Sequence, residues 1–89
     1  MRVALICTDK PDHLQTRLDN RAAHLAHIEA SGVVEMAGPF LNDGAMTGSL
    51  VVLNVETLAE VQAWAAADPY ALAGLFDSVT ISEWKRVIG

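Results

Sequence analysis

The turn Asn42-Asp43-Gly44, near the middle of the chain, is the sequence feature that most constrains the fold. An Asp-Gly pair favours a type I′ hairpin turn, because both central residues of that turn have positive φ. Apolar segments flank the turn at Val33–Phe40 and at Thr47–Val55. The sequence therefore predicts an antiparallel hairpin here, and every other element must be arranged around it.

One strand and one helix are predicted before the hairpin. Residues Arg2–Cys7 form an apolar, strand-like segment that Asp9-Lys10-Pro11-Asp12 interrupts. Asp12 can cap a helix or lead into one. Helical periodicity extends over about Leu14–Ala30, and Gly32 can supply the left-handed residue that commonly follows a helix.

Helical segments and a final strand are predicted after the hairpin. Thr57-Leu58-Ala59-Glu60 is a capping box that opens a second helix. Asp68 can cap a further helical segment that begins at Pro69 and extends through Leu75-Phe76. Val79–Val87 is the last predicted strand.

The predicted order of elements is β-α-β-β-α-β in a single domain, residues 1–89. With right-handed crossovers, this order gives a ferredoxin-like α+β fold, a four-stranded antiparallel sheet with both helices on one face. The segment Leu50–Val55 is apolar on both faces, as expected of a strand that is covered on both sides. A second copy is the simplest cover for the helix-free face, so we predict a homodimer that forms through the sheet.

Composition excludes several classes of partner. The net charge is −5 and the six basic residues form no patch, which argues against nucleic acid. No apolar run approaches the roughly 18 residues of a membrane span.

The first strand lacks the cleavage site of a signal peptide. A single cysteine, Cys7, cannot form an internal disulfide, so we expect an inert buried thiol and a reducing compartment, the cytoplasm.

Polar residues interrupt the apolar side of the first helix. One stripe of that helix comprises Leu14, Leu18, Ala22, Leu25 and Glu29. Arg21 falls inside the apolar sector, His24 falls at its border and His27 points toward water. Buried polar groups need partners, because a neutral one left unpaired costs roughly 2–7 kcal/mol. The best candidate partner is the carboxylate of Asp68.

His24 and Asp68 each have a structural and a functional interpretation. His24 can be a helix-edge histidine bonded to a carbonyl or to water, or a general acid–base, because imidazole titrates at about pH 6.5. Asp68 can be a helix cap alone, or a cap that also accepts a hydrogen bond from His24, since a carboxylate has two oxygens. In the second case it would fix the imidazole tautomer and favour the imidazolium.

Other polar residues are secondary candidates. Arg21 can extend along the apolar surface or form an internal salt bridge, or it can clamp an anionic oxygen of a substrate. Ser49 lacks the glycine pattern of a nucleophile elbow, which favours a serine that bonds the backbone or a ligand. Trp64 and Tyr70 flank Asp68 and either pack in the core or form a pocket wall.

We predict no metal and no cofactor. His24 and His27 have the i, i+3 spacing of a ligand pair, but no third ligand lies at a convincing spacing. The chain contains no glycine-rich phosphate loop and no flavin or nicotinamide fingerprint.

Motifs spread along the whole chain resemble the YciI-like family. They are Arg17, Arg21, Ala23-His24-Leu25, Gly38-Pro39, Thr47-Gly48-Ser49, Trp64, Asp68-Pro69-Tyr70 and Trp84-Lys85. The resemblance implies a dimeric ferredoxin-like fold related to dimeric α+β barrel enzymes such as muconolactone isomerases. It also implies an active site built on a histidine–aspartate pair, which corresponds to His24 and Asp68 here. The chain departs from the family at Phe40–Met46, a short connection where members often carry a longer loop.

Three hypotheses about function follow. The first is a cofactor-free enzyme in which His24 and Asp68 perform acid–base chemistry, an isomerisation or elimination on a small aromatic or unsaturated acid. Its substrate would contact four further residues: Arg21, Ser49, Pro39 and Tyr70. The second is a homodimer that binds or senses a small molecule without turnover. The third is a structural module that binds another protein through the sheet and needs no cleft beside His24.

Overall fold

The computed structural model describes residues 1–89, which form four strands and three helices. In chain order these are β1 (Arg2–Asp9), α1 (Leu14–Ser31), β2 (Val34–Asn42), β3 (Ala45–Asn54), α2 (Leu58–Ala67), α3 (Pro69–Leu72) and β4 (Phe76–Glu83). The strands form one antiparallel sheet in the order β2-β3-β1-β4. The predicted ferredoxin-like α+β fold is confirmed, with the helices on one face of the sheet.

The predicted hairpin joins β2 to β3. Asp43 and Gly44 both have positive φ, 50° and 80°, as a type I′ turn requires. Asn42 pairs with Ala45 across the turn, so both strands continue further toward it than the apolar pattern predicts. A two-residue turn leaves no unpaired backbone between the strands, which explains the extra length.

The core lies between the helices and the two central strands. Val3 and Leu5 of β1 pair with Leu53 and Val51 of β3, and all four side chains are buried. Val61 of α2 packs on the same cluster. Alternation along each strand places every second residue on this face, which leaves the residues between them on the helix-free face.

Of the two ends of α1, the C-terminal end has the residue conformation that the sequence predicts, whereas the N-terminal end has a different cap residue. Gly32 adopts the left-handed conformation at the C-terminal end, with φ of 68°, as predicted. Of the two roles open to Asp12, the structure shows the second, because Asp12 leads into the helix and does not cap it. His13 occupies the cap position without a side-chain hydrogen bond, and Asp12 has a positive φ of 61°. Asp12 therefore belongs to the turn that precedes the helix, one residue too early to act as its cap.

The C-terminal third of the chain is displaced from its predicted boundaries. Helix α3 ends at Leu72 and does not reach Phe76, because Gly74 takes a positive φ of 74° that no right-handed helix contains. Strand β4 then begins at Phe76 and ends at Glu83. Its antiparallel pairing runs along β1, so the length of β1 determines where β4 starts and stops.

Helix α1 turns its polar side, and not its leucine stripe, toward the sheet. Leu14, Leu18 and Leu25 are exposed, whereas Arg17 and His24 are the buried residues of the helix. The apolar sector that the periodicity defines is therefore not the side of α1 that packs on the sheet. Arg17 and His24 can be buried because each meets a partner: Arg17 bonds Asp9 and Ser49 on two strands, and His24 bonds Asp68, which precedes α3.

The helix-free face of the sheet is apolar. Ile6, Met36, Phe40 and Trp84 are each between 41% and 47% exposed. A shallow depression on this face is lined by Ala4, Met36, Leu50, Val52 and Trp84. None of the three helices combines the length and the apolar character that a membrane-spanning helix needs.

Candidate active site

A cavity of about 120 Å³ opens between α1, β2 and β3, next to Tyr70 of α3. Five of the six residues predicted for the site line it: Arg21, His24, Pro39, Ser49 and Tyr70. The sixth, Asp68, is in direct contact with His24. The fold therefore brings together side chains from four separate segments of the chain.

His24 and Asp68 form a buried pair. Nδ1 of His24 lies 2.8 Å from Oδ1 of Asp68, and the two residues are 6% and 2% exposed. The same Oδ1 accepts a hydrogen bond of 3.0 Å from the backbone N–H of Tyr70 and so caps α3, with Pro69 in its first turn. Asp68 is therefore both a helix cap and a partner of the histidine, and a single oxygen performs both tasks.

The contact with Asp68 determines which nitrogen of His24 faces the cavity. An ionised carboxylate only accepts hydrogen bonds, so Nδ1 carries the hydrogen of this contact. No protein group bonds Nε2, and no fully buried side-chain nitrogen or oxygen lacks a partner. Nε2 is consequently accessible in the cavity that His24 lines, and as a neutral imidazole nitrogen it can accept a proton.

Arg17 also lines the cavity, although the sequence analysis did not name it as a candidate site residue on its own. Its Nε and Nη2 donate to the two carboxylate oxygens of Asp9 at 2.7 Å and 2.8 Å, and Nη2 also donates to Oγ of Ser49 at 2.9 Å. Burial lowers the pKa of Arg17, but the hydrogen bond and charge of Asp9 outweigh it and hold the pKa above its ordinary value. Arg17 lies seven residues before His24, two helical turns, and this spacing was the available signal that both share one face.

The ring of Tyr70 contacts both buried residues of α1. It stacks on the imidazole of His24, and Cζ of Arg17 lies 4.7 Å from the ring centroid. Burial raises the pKa of the Tyr70 phenol, while the positive charge of Arg17 acts in the opposite direction. The phenol therefore stays neutral near pH 7 and retains a hydrogen to donate.

Two residues of α1 lie elsewhere than the sequence predicts. Arg21 is not embedded in an apolar sector but exposed at the cavity, and it forms no ion pair. His27 does not face water but is half-buried, with Nε2 3.1 Å from the carbonyl oxygen of Trp64. Both differences have the same cause: α1 is oriented about its axis so that Arg17 and His24 face the sheet and the leucines do not.

The described side chains offer no cluster of three or more histidine, cysteine, aspartate or glutamate residues that could hold a metal ion. His24 and His27 make contacts with different partners, Asp68 and the backbone of Trp64. The free thiol of Cys7 is buried. Burial, together with the negative charge of Asp68, raises its pKa from 9.0 to about 12, so the thiol is protonated at neutral pH.

Comparisons with known proteins give the family. The YCII-related domain matches residues 1–85. Protein YciI of Escherichia coli O6:H1 is 38% identical over 97 aligned positions, which cover 98% of this chain and 99% of YciI. A protein of Haemophilus influenzae without an assigned function is 32% identical, with the same coverage.

Solved structures show the same fold. The 5-chloro-2-hydroxyhydroquinone dehydrochlorinase TftG of Burkholderia phenoliruptrix, in complex with 2,5-dihydroxybenzoquinone, is similar with a TM-score of 0.89 and 36% identity. The similarity covers 96% of this chain and 94% of TftG. PA3566 of Pseudomonas aeruginosa shares the fold at 12% identity and a TM-score of 0.60, with 98% of this chain and 93% of PA3566 covered. The chain thus belongs to the YCII-related domain family, whose members include the YciI proteins.

Proposed function

We propose that this protein is a cofactor-free enzyme that uses His24 and Asp68 for general acid–base chemistry on a small ring compound or unsaturated acid. The observation that carries the proposal is the 2.8 Å contact between Nδ1 of His24 and Oδ1 of Asp68, beside a cavity that His24 lines. A buried carboxylate orients the imidazole and stabilises the imidazolium that forms when the ring takes a proton. Such a pair is suited to proton transfer to and from a bound substrate.

The size of the cavity favours a single ring. Its volume of about 120 Å³ compares with the roughly 150 Å³ of an engineered protein cavity that binds benzene. A nucleotide or a flavin is several times larger. TftG, whose named substrate is a chlorinated, hydroxylated ring, is 36% identical to this chain and supports the same class of substrate.

The proposed chemistry is an elimination or an isomerisation. In an elimination, Nε2 of His24 takes a proton from the substrate, the electrons of that bond move into the ring system, and a leaving group such as chloride departs with its bonding pair. In an isomerisation, the imidazolium returns the proton to another atom of the same molecule. Neither route requires an oxidant or a reductant, which is consistent with a cofactor-free enzyme.

Four residues are proposed to hold the substrate. Arg21 carries an unpaired positive charge at the cavity of a protein with net charge −5, so it can attract a carboxylate or phenolate oxygen. Ser49 and the phenol of Tyr70 provide hydroxyl groups within the cavity wall, and Pro39 provides an apolar surface for the ring. These contacts would orient the substrate toward Nε2 of His24.

The active form is proposed to be a homodimer in the cytoplasm. Its interface would cover the apolar helix-free face, on which Ile6, Met36, Phe40 and Trp84 are exposed. A contiguous apolar surface of this kind is typical of a protein–protein interface. The single cysteine, Cys7, is consistent with a reducing compartment.

The test is turnover by a variant of the proposed base. We expect the protein to release chloride from 5-chloro-2-hydroxyhydroquinone, or to isomerise a small unsaturated lactone or acid, and His24→Ala to slow the reaction by roughly 10²–10⁴-fold. His13→Ala is the matched control, because His13 lies before α1 and outside the cavity lining. Equal rates for the wild type and His24→Ala would contradict the proposal. Binding of ring acids without any turnover would favour the alternative, a binding or regulatory homodimer.

A further inference from the structure

We infer that the Arg17–Asp9 ion pair holds Ser49 as a hydrogen-bond donor toward the cavity, so that the bound molecule must present an acceptor oxygen to Ser49. The inference deepens the proposed function and depends on it only for the location of the ligand. It assigns a specificity-determining role to Ser49 and a positioning role to Arg17.

The direction of the Arg17–Ser49 hydrogen bond determines what Ser49 can offer. A guanidinium has donors and no acceptor, so Oγ of Ser49 must accept in its 2.9 Å contact with Nη2 of Arg17. The hydroxyl hydrogen of Ser49 has no acceptor anywhere in the protein. Ser49 is only 3% exposed and lines the cavity, so the free donor can be satisfied only from the cavity.

Arg17 is held too firmly to release Ser49. Both oxygens of Asp9 bind it, and the side chains of the pair are only 3% and 7% exposed. The ring of Tyr70 covers the guanidinium, with Cζ 4.7 Å from the ring centroid. A hydroxyl group that already accepts from a cation is also a stronger donor, because hydrogen bonds in a chain polarise one another.

The backbone of Ser49 is fixed as well. The preceding residue, Gly48, lies so close to β1 that a Cβ atom there would collide with the carbonyl oxygen of Cys7. Ser49 itself pairs with Cys7 of β1 and with Pro39 of β2. Strands on both sides therefore set the position from which Ser49 donates.

The arrangement points to a chemical class of ligand. A carbonyl, phenolate or carboxylate oxygen can accept from Ser49, whereas an ammonium group or a bare hydrocarbon ring leaves the donor unpaired at a measurable cost in affinity. The same geometry argues against Ser49 as a nucleophile, because a bound cation withdraws the electron pair that would attack. We therefore expect a planar ring with an oxygen acceptor directed toward β3.

The experiment is a titration with 2,5-dihydroxybenzoquinone, which carries acceptor oxygens on a single ring. We expect Ser49→Ala to weaken its binding about 10- to 100-fold, the effect of losing one hydrogen bond to a charged or strongly polar oxygen. Ser78→Ala, on the exposed strand β4, is the matched control and should bind as the wild type does. Urea unfolding of each variant verifies that the protein is folded.

A double-mutant cycle tests the role of Arg17. Arg17→Lys keeps the positive charge beside Asp9 but loses the planar group that reaches Asp9 and Ser49 together. If Arg17 acts through Ser49, Arg17→Lys weakens binding in the wild type and has no further effect in the Ser49→Ala background. A merely structural role predicts the same loss in both backgrounds.

The outcomes separate this inference from the proposed enzymatic function. Unchanged binding by Ser49→Ala, additive effects in the cycle, or a wild type that does not bind the probe each overturns the inference. Loss of binding in Ser49→Ala, together with a wild type that turns nothing over, supports the inference and contradicts the enzyme. Loss of turnover in His24→Ala with unchanged binding in Ser49→Ala supports the enzyme and overturns the inference.

Discussion

The rings of His24 and Tyr70 lie face to face, with centroids 3.9 Å apart and planes inclined by 13°. The backbone N–H of the same tyrosine binds Oδ1 of Asp68, which in turn contacts the edge of the imidazole. The short segment Asp68–Tyr70 therefore holds His24 by one edge and one face. Because Pro69 restricts the backbone between them, the orientation of the imidazole depends on the first turn of α3.

We expect Tyr70→Phe and Tyr70→Ala to have different effects on stability. Phenylalanine keeps the contacts of the ring with His24 and Arg17, so its free energy of unfolding should stay within about 1 kcal/mol of the wild type. Alanine removes a ring that is only 2% exposed and should cost about 3–5 kcal/mol. Urea denaturation measures both. A similar, small effect of the two variants would mean that the stacked ring does not stabilise the site.

Asp68→Asn should lower activity and stability together. The neutral amide still has an oxygen to accept one hydrogen bond, but it cannot stabilise an imidazolium, so we expect a loss of roughly 10²–10⁴-fold in kcat. The free energy of unfolding should fall by about 1 kcal/mol, because the cap of α3 is weakened. Asp77→Asn, at an exposed position of β4, is the control. If Asp68→Asn changed neither quantity, both proposed roles of the carboxylate would be wrong.

Stability should decrease at alkaline pH through Cys7. In the folded protein its pKa is raised to about 12, mainly by burial, against an ordinary value of 9.0. Between these values the unfolded chain loses the thiol proton and the folded chain retains it, so the free energy of unfolding falls as pH rises from 9 to 12. Below pH 9 the thiol is protonated in both states, so it does not make the free energy of unfolding depend on pH.

The measurement for Cys7 is the difference between the wild type and Cys7→Ala in urea unfolding across this range of pH. The free energy of unfolding of Cys7→Ala should fall less steeply with pH than that of the wild type, because the variant has no thiol. The contributions of lysine and tyrosine to this fall should be the same in both proteins. Identical slopes for the two proteins would show that the thiol is not shielded as the structure indicates. Slow reaction of the folded protein with a thiol reagent at pH 8 is expected for the same reason.

Gly48→Ala should be much more destabilising than Gly38→Ala. A Cβ atom at Gly48 would collide with the backbone carbonyl oxygen of Cys7, whereas a Cβ atom at Gly38 would meet nothing within 4 Å. The added Cβ atom would push the two central strands apart, so we expect the free energy of unfolding of Gly48→Ala to fall by about 1–3 kcal/mol, as overpacking commonly causes. Gly38→Ala should leave the free energy of unfolding nearly unchanged. Equal unfolding midpoints for the two variants would contradict the close approach of β3 to β1.

Dimer formation should depend on the helix-free face of the sheet. We expect the wild type to sediment as a dimer at micromolar concentration and Ile6→Asp to shift it toward the monomer, because a carboxylate would be buried in the interface. Leu72→Asp, at an exposed position of α3, should remain dimeric. A wild type that sediments as a monomer would refute the proposed interface.

The sequence by itself determined the order of elements and the local signals that start and stop them. The hairpin at Asp43-Gly44, the left-handed Gly32 and the cap at Asp68 are each encoded within a few residues, so they could be predicted and are found. The need of a helix-border histidine for a partner, together with the motif resemblance, paired His24 with Asp68, and the structure places them in contact.

Only the tertiary structure decided which side of α1 is buried. Periodicity favours the side with Leu14, Leu18 and Leu25, because a pattern weighs each residue by its own hydrophobicity. The folded chain buries Arg17 and His24 instead. Their partners, Asp9, Ser49 and Asp68, lie 8, 32 and 44 residues away along the chain. A buried ion pair or hydrogen bond is favourable only when both partners are in place, so it depends on how distant segments meet and not on any local pattern.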